Sequence, residues 1–134
     1  MMNDLPGLTV SAPLFFHQDG SIDYVTLERY LCDVCKNRHI SAVYSMAYNT
    51  RYRMLDDSEL FNLNKMIIEL VNDFGHNVYV GHPYSFTDRT FDNYLSKISN
   101  LNVSGISMLY PERYYGIDKP IIDFLKAPQK FNLP

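Results

Sequence analysis

The sequence predicts an α/β chain of four consecutive strand–helix units with parallel strands. Two observations predict it. Short apolar runs of strand length alternate four times with longer stretches whose apolar residues recur at helical spacing. The connections between them are short, which implies parallel strands joined by right-handed crossovers. The 134 residues suit a single domain, residues 1–134, with no linker or low-complexity tract to divide it.

The elements follow in order. Residues 8–16 are the first apolar run, of strand length. Residues 26–38 read as a helix, with Leu27, Leu31 and Val34 on one side and Asp23 available as N-cap. Residues 41–47 are the second strand. The next helix is the clearest element: Leu60, Leu63, Met66, Ile67, Leu70, Val71 and Phe74 form one stripe. Asp56 with Glu59 resembles a capping box, and Gly75 stands where a left-handed residue ends a helix. Residues 77–82 are the third strand. Thr87 caps a third helix whose apolar face is Phe91, Leu95, Ile98 and Leu101. Residues 105–109 are the fourth strand. Pro120 opens a short last helix through Ile121, Ile122, Phe124 and Leu125, and Pro128 ends it.

Composition narrows the function. Apolar residues make up 46% and charged residues 20%, a soluble globular balance. A net charge of −3 argues against sequence-independent nucleic-acid binding, which needs a basic face. No apolar run approaches a bilayer span, and the first residues carry no basic or apolar signal region. A cytoplasmic location, with neither a nucleic-acid nor a membrane partner, is the expectation. The eleven tyrosines read first as packing groups at layer boundaries. Cys32 and Cys35 fall inside a helical pattern, not after a strand, and two further zinc ligands are not evident, so they read as buried or half-buried thiols. No cofactor or metal is expected.

Four strand–helix units fit either a small doubly wound sheet or a slice of a barrel. The turn after the first strand, Phe16-His17-Gln18-Asp19-Gly20, has one glycine, and no glycine-rich phosphate motif occurs in the chain. A nucleotide-binding sheet therefore ranks last.

A family resemblance favours the barrel. The ending Asp19-Gly20-Ser21-Ile22-Asp23 of the first unit matches the Asp-Gly-x-Ile/Val-Asp of the dihydrodipicolinate synthase / N-acetylneuraminate lyase family. Ala47-Tyr48-Asn49-Thr50-Arg51 falls in register with that family's Gly-Thr-Thr-Gly-Glu loop, and Leu55-Asp56-Asp57-Ser58-Glu59 with its Leu-Ser-x-x-Glu. Tyr110-Pro111-Glu112-Arg113-Tyr114-Tyr115 is similar to its Pro-Pro-Tyr-Tyr. The order and spacing of these motifs span residue 7 to about 125. The resemblance implies the N-terminal half of a TIM (β/α)8 barrel, truncated before the fifth strand, with residues 131–134 as the approach to it.

It also implies chemistry. In that family a lysine forms an imine with a 2-oxo acid, a tyrosine after the fourth strand relays protons, and the Gly-Thr-Thr-Gly-Glu loop holds the substrate carboxylate. By register, Tyr48, Asn49, Thr50, Arg51 and Arg113 are the substrate-binding candidates, and Tyr114 and Tyr115 the catalytic ones. Rim packing or an oligomer contact is the competing reading of the two tyrosines, and a surface ion pair that of Arg51. His17, His82 and Tyr84 also fall at strand ends, the histidines as solvated or hydrogen-bonded loop residues. The loop has lost both family glycines, and Thr-Pro-Phe is replaced by Leu14-Phe15-Phe16, which points away from the lysine-biosynthesis enzyme and toward another 2-oxo acid. None of Lys36, Lys65, Lys97, Lys119, Lys126 and Lys130 falls on an expected strand, so the chain alone is expected to be inactive. A lyase half and an inactive or interacting half-barrel remain as readings. Two bare strand edges and an apolar inner face are expected to make it a homo-oligomer, or else marginally stable.

Overall fold

The computed structural model describes residues 7–46, 52–82, 88–108 and 116–134. Four strands, β1 (Leu8–Ser11), β2 (Ile40–Ser45), β3 (Asn77–Gly81) and β4 (Gly105–Ser107), alternate with helices α1 (Tyr24–Cys35), α2 (Asp57–Asp73), α3 (Asp88–Ile98) and α4 (Asp118–Leu125). Short 3-10 turns cover Tyr52–Met54 and Ala127–Phe131. All pairings are parallel, and the spatial order is β1-β2-β3-β4. Right-handed crossovers between strands added always on the same side place every helix on one face. This is the arrangement of the first half of a (β/α)8 barrel, not of a doubly wound sheet, where the order reverses.

Residues paired across a parallel ladder share a face. Val43 pairs with Val78, Ser45 with Val80, and Val80 with Ile106, which defines the helix-side face. Val43, Val78 and Val80 are wholly buried there against Leu27, Leu31, Leu63, Ile67, Ile68, Val71, Leu95 and Ile98. The opposite, inner face carries Thr9, Ser11, Tyr44, Asn77, Tyr79 and Ser107. Hydroxyls and an amide punctuate this face, but Ala42 shares it and the walls of the open cavity there are chiefly apolar, as expected; Thr9, Ser11, Asn77 and Tyr79 are exposed.

Local chemistry explains the boundaries. Pro13 has no N–H for a ladder, and β1 stops at Ser11. The chain then turns at Gly20, whose φ is 87°, and Phe16 bridges Ile22. Asp19 accepts hydrogen bonds from the Ser21 N–H (2.9 Å) and hydroxyl (2.6 Å), and these hold its carboxyl below the usual range. Asp23 caps α1 through the Thr26 N–H at 2.9 Å, as expected. The helix ends at Cys35, three residues before residue 38, because Asn37 bends the chain by accepting from the His39 N–H at 3.0 Å. Cys35 is buried and Cys32 half-buried, both free.

The capping box of α2 is present: Glu59 N–H donates to Asp56 at 2.8 Å, and Asp56 N–H to Glu59 at 2.9 Å. Gly75 follows at φ 75°. The buried stripe is rotated from the expected one: Leu60, Leu63, Asn64, Ile67, Ile68 and Val71 are inside, while Phe74 is exposed. In α3, Leu95 and Ile98 are buried as expected, together with Tyr94. The Thr87 cap and the Phe91 side chain lie outside the described residues. Pro120 is the third residue of α4, not its first, and α4 ends at Leu125. Pro128 sits inside the following 3-10 turn.

The last residues return to the edge of the sheet at β4. Asn132 is left-handed at φ 55°, Leu133 is buried, and the Pro134 carbonyl accepts from Ile106 N–H of β4 at 3.1 Å. Among the described residues no helix is long and apolar enough to cross a membrane. The reciprocal cap on α2 yields a test. Asp56→Ala should lower the unfolding free energy by about 1 kcal/mol, read as a reduced midpoint in urea at unchanged slope.

Candidate functional site

In barrels of this architecture chemistry gathers where the strands end at their C-termini. In this chain the segments 47–51, 83–87 and 109–115 directly follow the segments that hold β2, β3 and β4. The expected site residues Tyr48, Asn49, Thr50, Arg51, Arg113, Tyr114 and Tyr115 all belong to these segments and lie outside the described residues, as does Tyr84. The described residues are those of the strand ends that precede these segments in the chain.

On the inner face, the Tyr44 hydroxyl of β2 donates to Ser107 Oγ of β4 at 2.8 Å, passing over β3. With Thr9, Tyr79 and Ile106 this pair lines an open cavity of about 230 Å³. Tyrosine rings supply apolar walls there, and the hydroxyls supply donors and acceptors for a polar ligand. Sequence reading missed this pair. Alternation places Tyr44 and Ser107 on strands, but only the register shows that they share a face.

On the helix side, polar groups are buried at the same end of the sheet. Ser45 Oγ donates to Asn64 Oδ1 at 2.5 Å. The Asn64 amide donates to Tyr94 Oη at 2.9 Å and to Met46 Sδ at 2.8 Å. The Tyr94 hydroxyl reaches the Gly81 carbonyl at 3.3 Å. The network joins β2, β3, α2 and α3, and no buried side-chain nitrogen or oxygen among the described residues lacks a partner. Removing one member leaves its neighbour desolvated and unpaired, at a cost of about 1–3 kcal/mol. Burial pushes the Tyr94 hydroxyl well above the ordinary tyrosine range. A polar residue on the apolar stripe of α2 was the visible signal for Asn64.

Met46, the first residue after β2, has φ 59°. This left-handed conformation costs a side-chain-bearing residue about 1–2 kcal/mol. A Cβ on Gly81 would stand 2.5 Å from the Met46 carbonyl oxygen, so β3 needs a glycine where the β2 turn leans on it.

The two histidines differ. His17 is exposed and 3.9 Å from Asp23, whose carboxylate is engaged chiefly in capping α1. His82 is 5% exposed; its N–H donates to the Ser107 carbonyl at 3.0 Å, and its ring meets Phe124 edge-on at 5.3 Å. It is hydrogen-bonded, but buried and not solvated. Among the described residues no group of three His, Cys, Asp or Glu could hold a metal ion.

No protein-family model and no curated protein sequence matches the chain. Solved structures do match. A 4-hydroxy-tetrahydrodipicolinate synthase from Methylacidiphilum fumariolicum SolV superposes at TM-score 0.79 and 20% identity, over 94% of this chain and 41% of its own. An N-acetylneuraminate lyase from Fusobacterium nucleatum superposes at 0.76 and 19%, over 93% and 42%. An E. coli prophage protein belonging to the dihydrodipicolinic acid synthase family, solved with pyruvate, superposes at 0.73 and 16%, over 98% and 44%. The chain spans about two-fifths of the length of these proteins, and the likeness is one of fold.

The Tyr94 burial sets a pH limit. A hydroxyl whose folded pKa lies above its unfolded value of 10.0 stabilises the fold fully below that pH and less above it. Unfolding free energy should therefore fall more steeply above pH 10 in the parent protein than in Tyr94→Phe, by up to about 1.4 kcal/mol per pH unit. Parallel urea titrations at pH 9 and pH 11 compare the two slopes.

Proposed function

We propose that this chain is the N-terminal portion of a dihydrodipicolinate synthase / N-acetylneuraminate lyase-like aldolase acting on a 2-oxo acid, with the imine-forming amine supplied from outside these 134 residues. The observation that carries the reading is the extent of the likeness: over nine-tenths of the chain follows the first half of barrels bearing those names, one of them holding pyruvate. In this reading residues 48–51 and Arg113 receive the substrate carboxylate. Hydroxyl and amide donors with an arginine suit that charge. Tyr114 or Tyr115 relays a proton at the reacting carbon. The inner-face cavity adds the Tyr44 and Ser107 hydroxyls within largely apolar walls.

The position of every lysine supports an external amine. Lys65, Lys97 and Lys119 lie in α2, α3 and α4, Lys36 and Lys126 at the ends of α1 and α4, and Lys130 in the last 3-10 turn. All belong to the outer layer or its turns. Lys65 faces Glu69 at 3.9 Å, and Lys119 pairs with Asp123 at 2.5 Å. None points a free amine along a strand toward a substrate. Borohydride reduction in the presence of pyruvate should leave this chain without a covalent adduct; mass spectrometry finding one on any of the six lysines would refute the external amine. The substrate class is tested separately. Millimolar pyruvate should shift the amide resonances of residues 47–51, and unmoved resonances would end the 2-oxo-acid reading.

A second reading, a half-barrel that associates through its margins, is favoured by the apolar groups there. Leu8 at the β1 edge is 63% exposed. On and beside α4, Ile117, Ile122 and Leu125 are about half exposed, and α4 buries no residue fully. The purified chain should elute from size exclusion above its 15.6 kDa monomer mass. A stable, non-associating monomer would remove this reading.

A further inference from the structure

The chain's two cysteines, Cys32 and Cys35, stand three residues apart in the last turn of α1. Residues so spaced share a face of a helix, with Cβ atoms about 5–6 Å apart. Cys32 is half-buried and Cys35 buried, and both are free. Burial, and after it the charge of Cys32, pushes the Cys35 thiol above its ordinary value.

The spacing decides what the pair can do. A disulfide needs its Cβ atoms within about 3.5–4.5 Å of each other. To reach that, the end of α1 would have to distort, and three contacts oppose it. The Cys35 carbonyl accepts from His76 Nε2 at 2.7 Å. The Lys36 N–H donates to the Cys32 carbonyl at 3.2 Å and closes the turn between the two cysteines. The Cys35 side chain belongs to the core that holds Leu27 and Leu31. A single atom placed between the sulfurs needs no such distortion, because a sulfur–atom–sulfur bridge spans a gap that a sulfur–sulfur bond does not.

Charge narrows the choice of that atom. Thiolate is disfavoured by burial and by the partial negative charge of a helix C-terminus. A centre that ends neutral on two sulfurs suits this place; monovalent copper would leave a buried anion. Zinc asks for four ligands, and among the described residues no third His, Cys, Asp or Glu joins the pair.

We propose that Cys32 and Cys35 form a dithiol site on α1 for one trivalent arsenical, bound as a neutral bridge between the two sulfurs. With phenylarsine oxide the step is a condensation without change of oxidation state. Two arsenic–sulfur bonds form, the arsenic–oxygen bond breaks, and the oxygen leaves as water with both thiol protons. Cys32 makes the first bond from the surface, and Cys35 closes the bridge from within, as an intramolecular step. The site lies where α1 ends and β2 has yet to begin, away from the strand C-termini, and is independent of the 2-oxo-acid reading.

The test treats the folded chain with one equivalent of phenylarsine oxide, beside Cys32→Ser and Cys35→Ala, and reads intact mass and circular dichroism. The parent should gain one phenylarsenic group in place of two hydrogens and keep its helical signal. Millimolar glutathione should strip that group about a hundredfold or more slowly than from either variant, because two linked bonds must open together. Dimercaptopropanol should remove it. Stripping from the parent as fast as from Cys32→Ser would show a single arsenic–sulfur bond and overturn the proposal, even if Cys35→Ala does not fold. A bridge that forms only in unfolding concentrations of urea would overturn it too. Oxidised glutathione checks the spacing: the folded parent should form no Cys32–Cys35 disulfide. Complete conversion to that disulfide with the helical signal intact would overturn the geometry on which the site rests.

Discussion

Sequential parallel pairing is the constraint from which the other features follow. Each crossover is right-handed, and each new strand adds beyond the last, so every helix falls on the same side of the sheet. One face then acquires a continuous apolar core between strands and helices. The other receives nothing from its own connections. A doubly wound sheet avoids this by reversing strand order; a barrel avoids it by closing. Four strands in this order do neither, and the composition of the two faces reflects it. Valines point to the helices, while threonine, serine, asparagine and tyrosine point inward.

The inner face is mixed at the open side. Its hydroxyls stand among largely apolar cavity walls, and Tyr44 and Ser107 satisfy one another. Those walls and the apolar residues at the two margins, Leu8 on one and those of α4 on the other, are the surfaces that gain from being covered. Among the described residues, Ser45, Asn64, Tyr94 and His82 bring buried polar groups together at the strand C-termini. The sheet is therefore apolar in its body and hydrogen-bonded at one end, the end from which the proposed site segments depart.

Much of this was legible in the sequence. Four apolar runs separated by helical stripes state the order of elements; Asp23, Asp56 and Glu59 mark helix starts by side-chain chemistry that acts over three residues, and Gly75 marks an end by its left-handed backbone. Features that depend on register or distant contacts were not legible. The hydroxyl pair on the inner face was not foreseen because strands buried on one side and strands buried on both sides look alike when they are only a few residues long. The α2 stripe was placed one position off at Phe74, whose apolar side chain fits the period but falls past the last packed turn. Asn64 satisfies the helical period as well as any leucine, and its meaning appears only once Ser45 and Tyr94 are brought to it. Of the candidate site, the sequence names the residues by family register, and the structure describes the strand ends that precede them in the chain.

The hydrogen bond from Tyr44 to Ser107 has a mechanical consequence. It ties β2 to β4 across a span of two strand spacings, about 9–10 Å. A tyrosine standing straight up from a flat sheet would not cover that span. Its tip meets the serine because the side chain leans across β3, and moving β2 away from β4 would draw the two hydroxyls apart. The bond behaves as a strap laid over the middle strand: it couples two strands that share no ladder, so that β2 and β4 resist sliding past β3 independently.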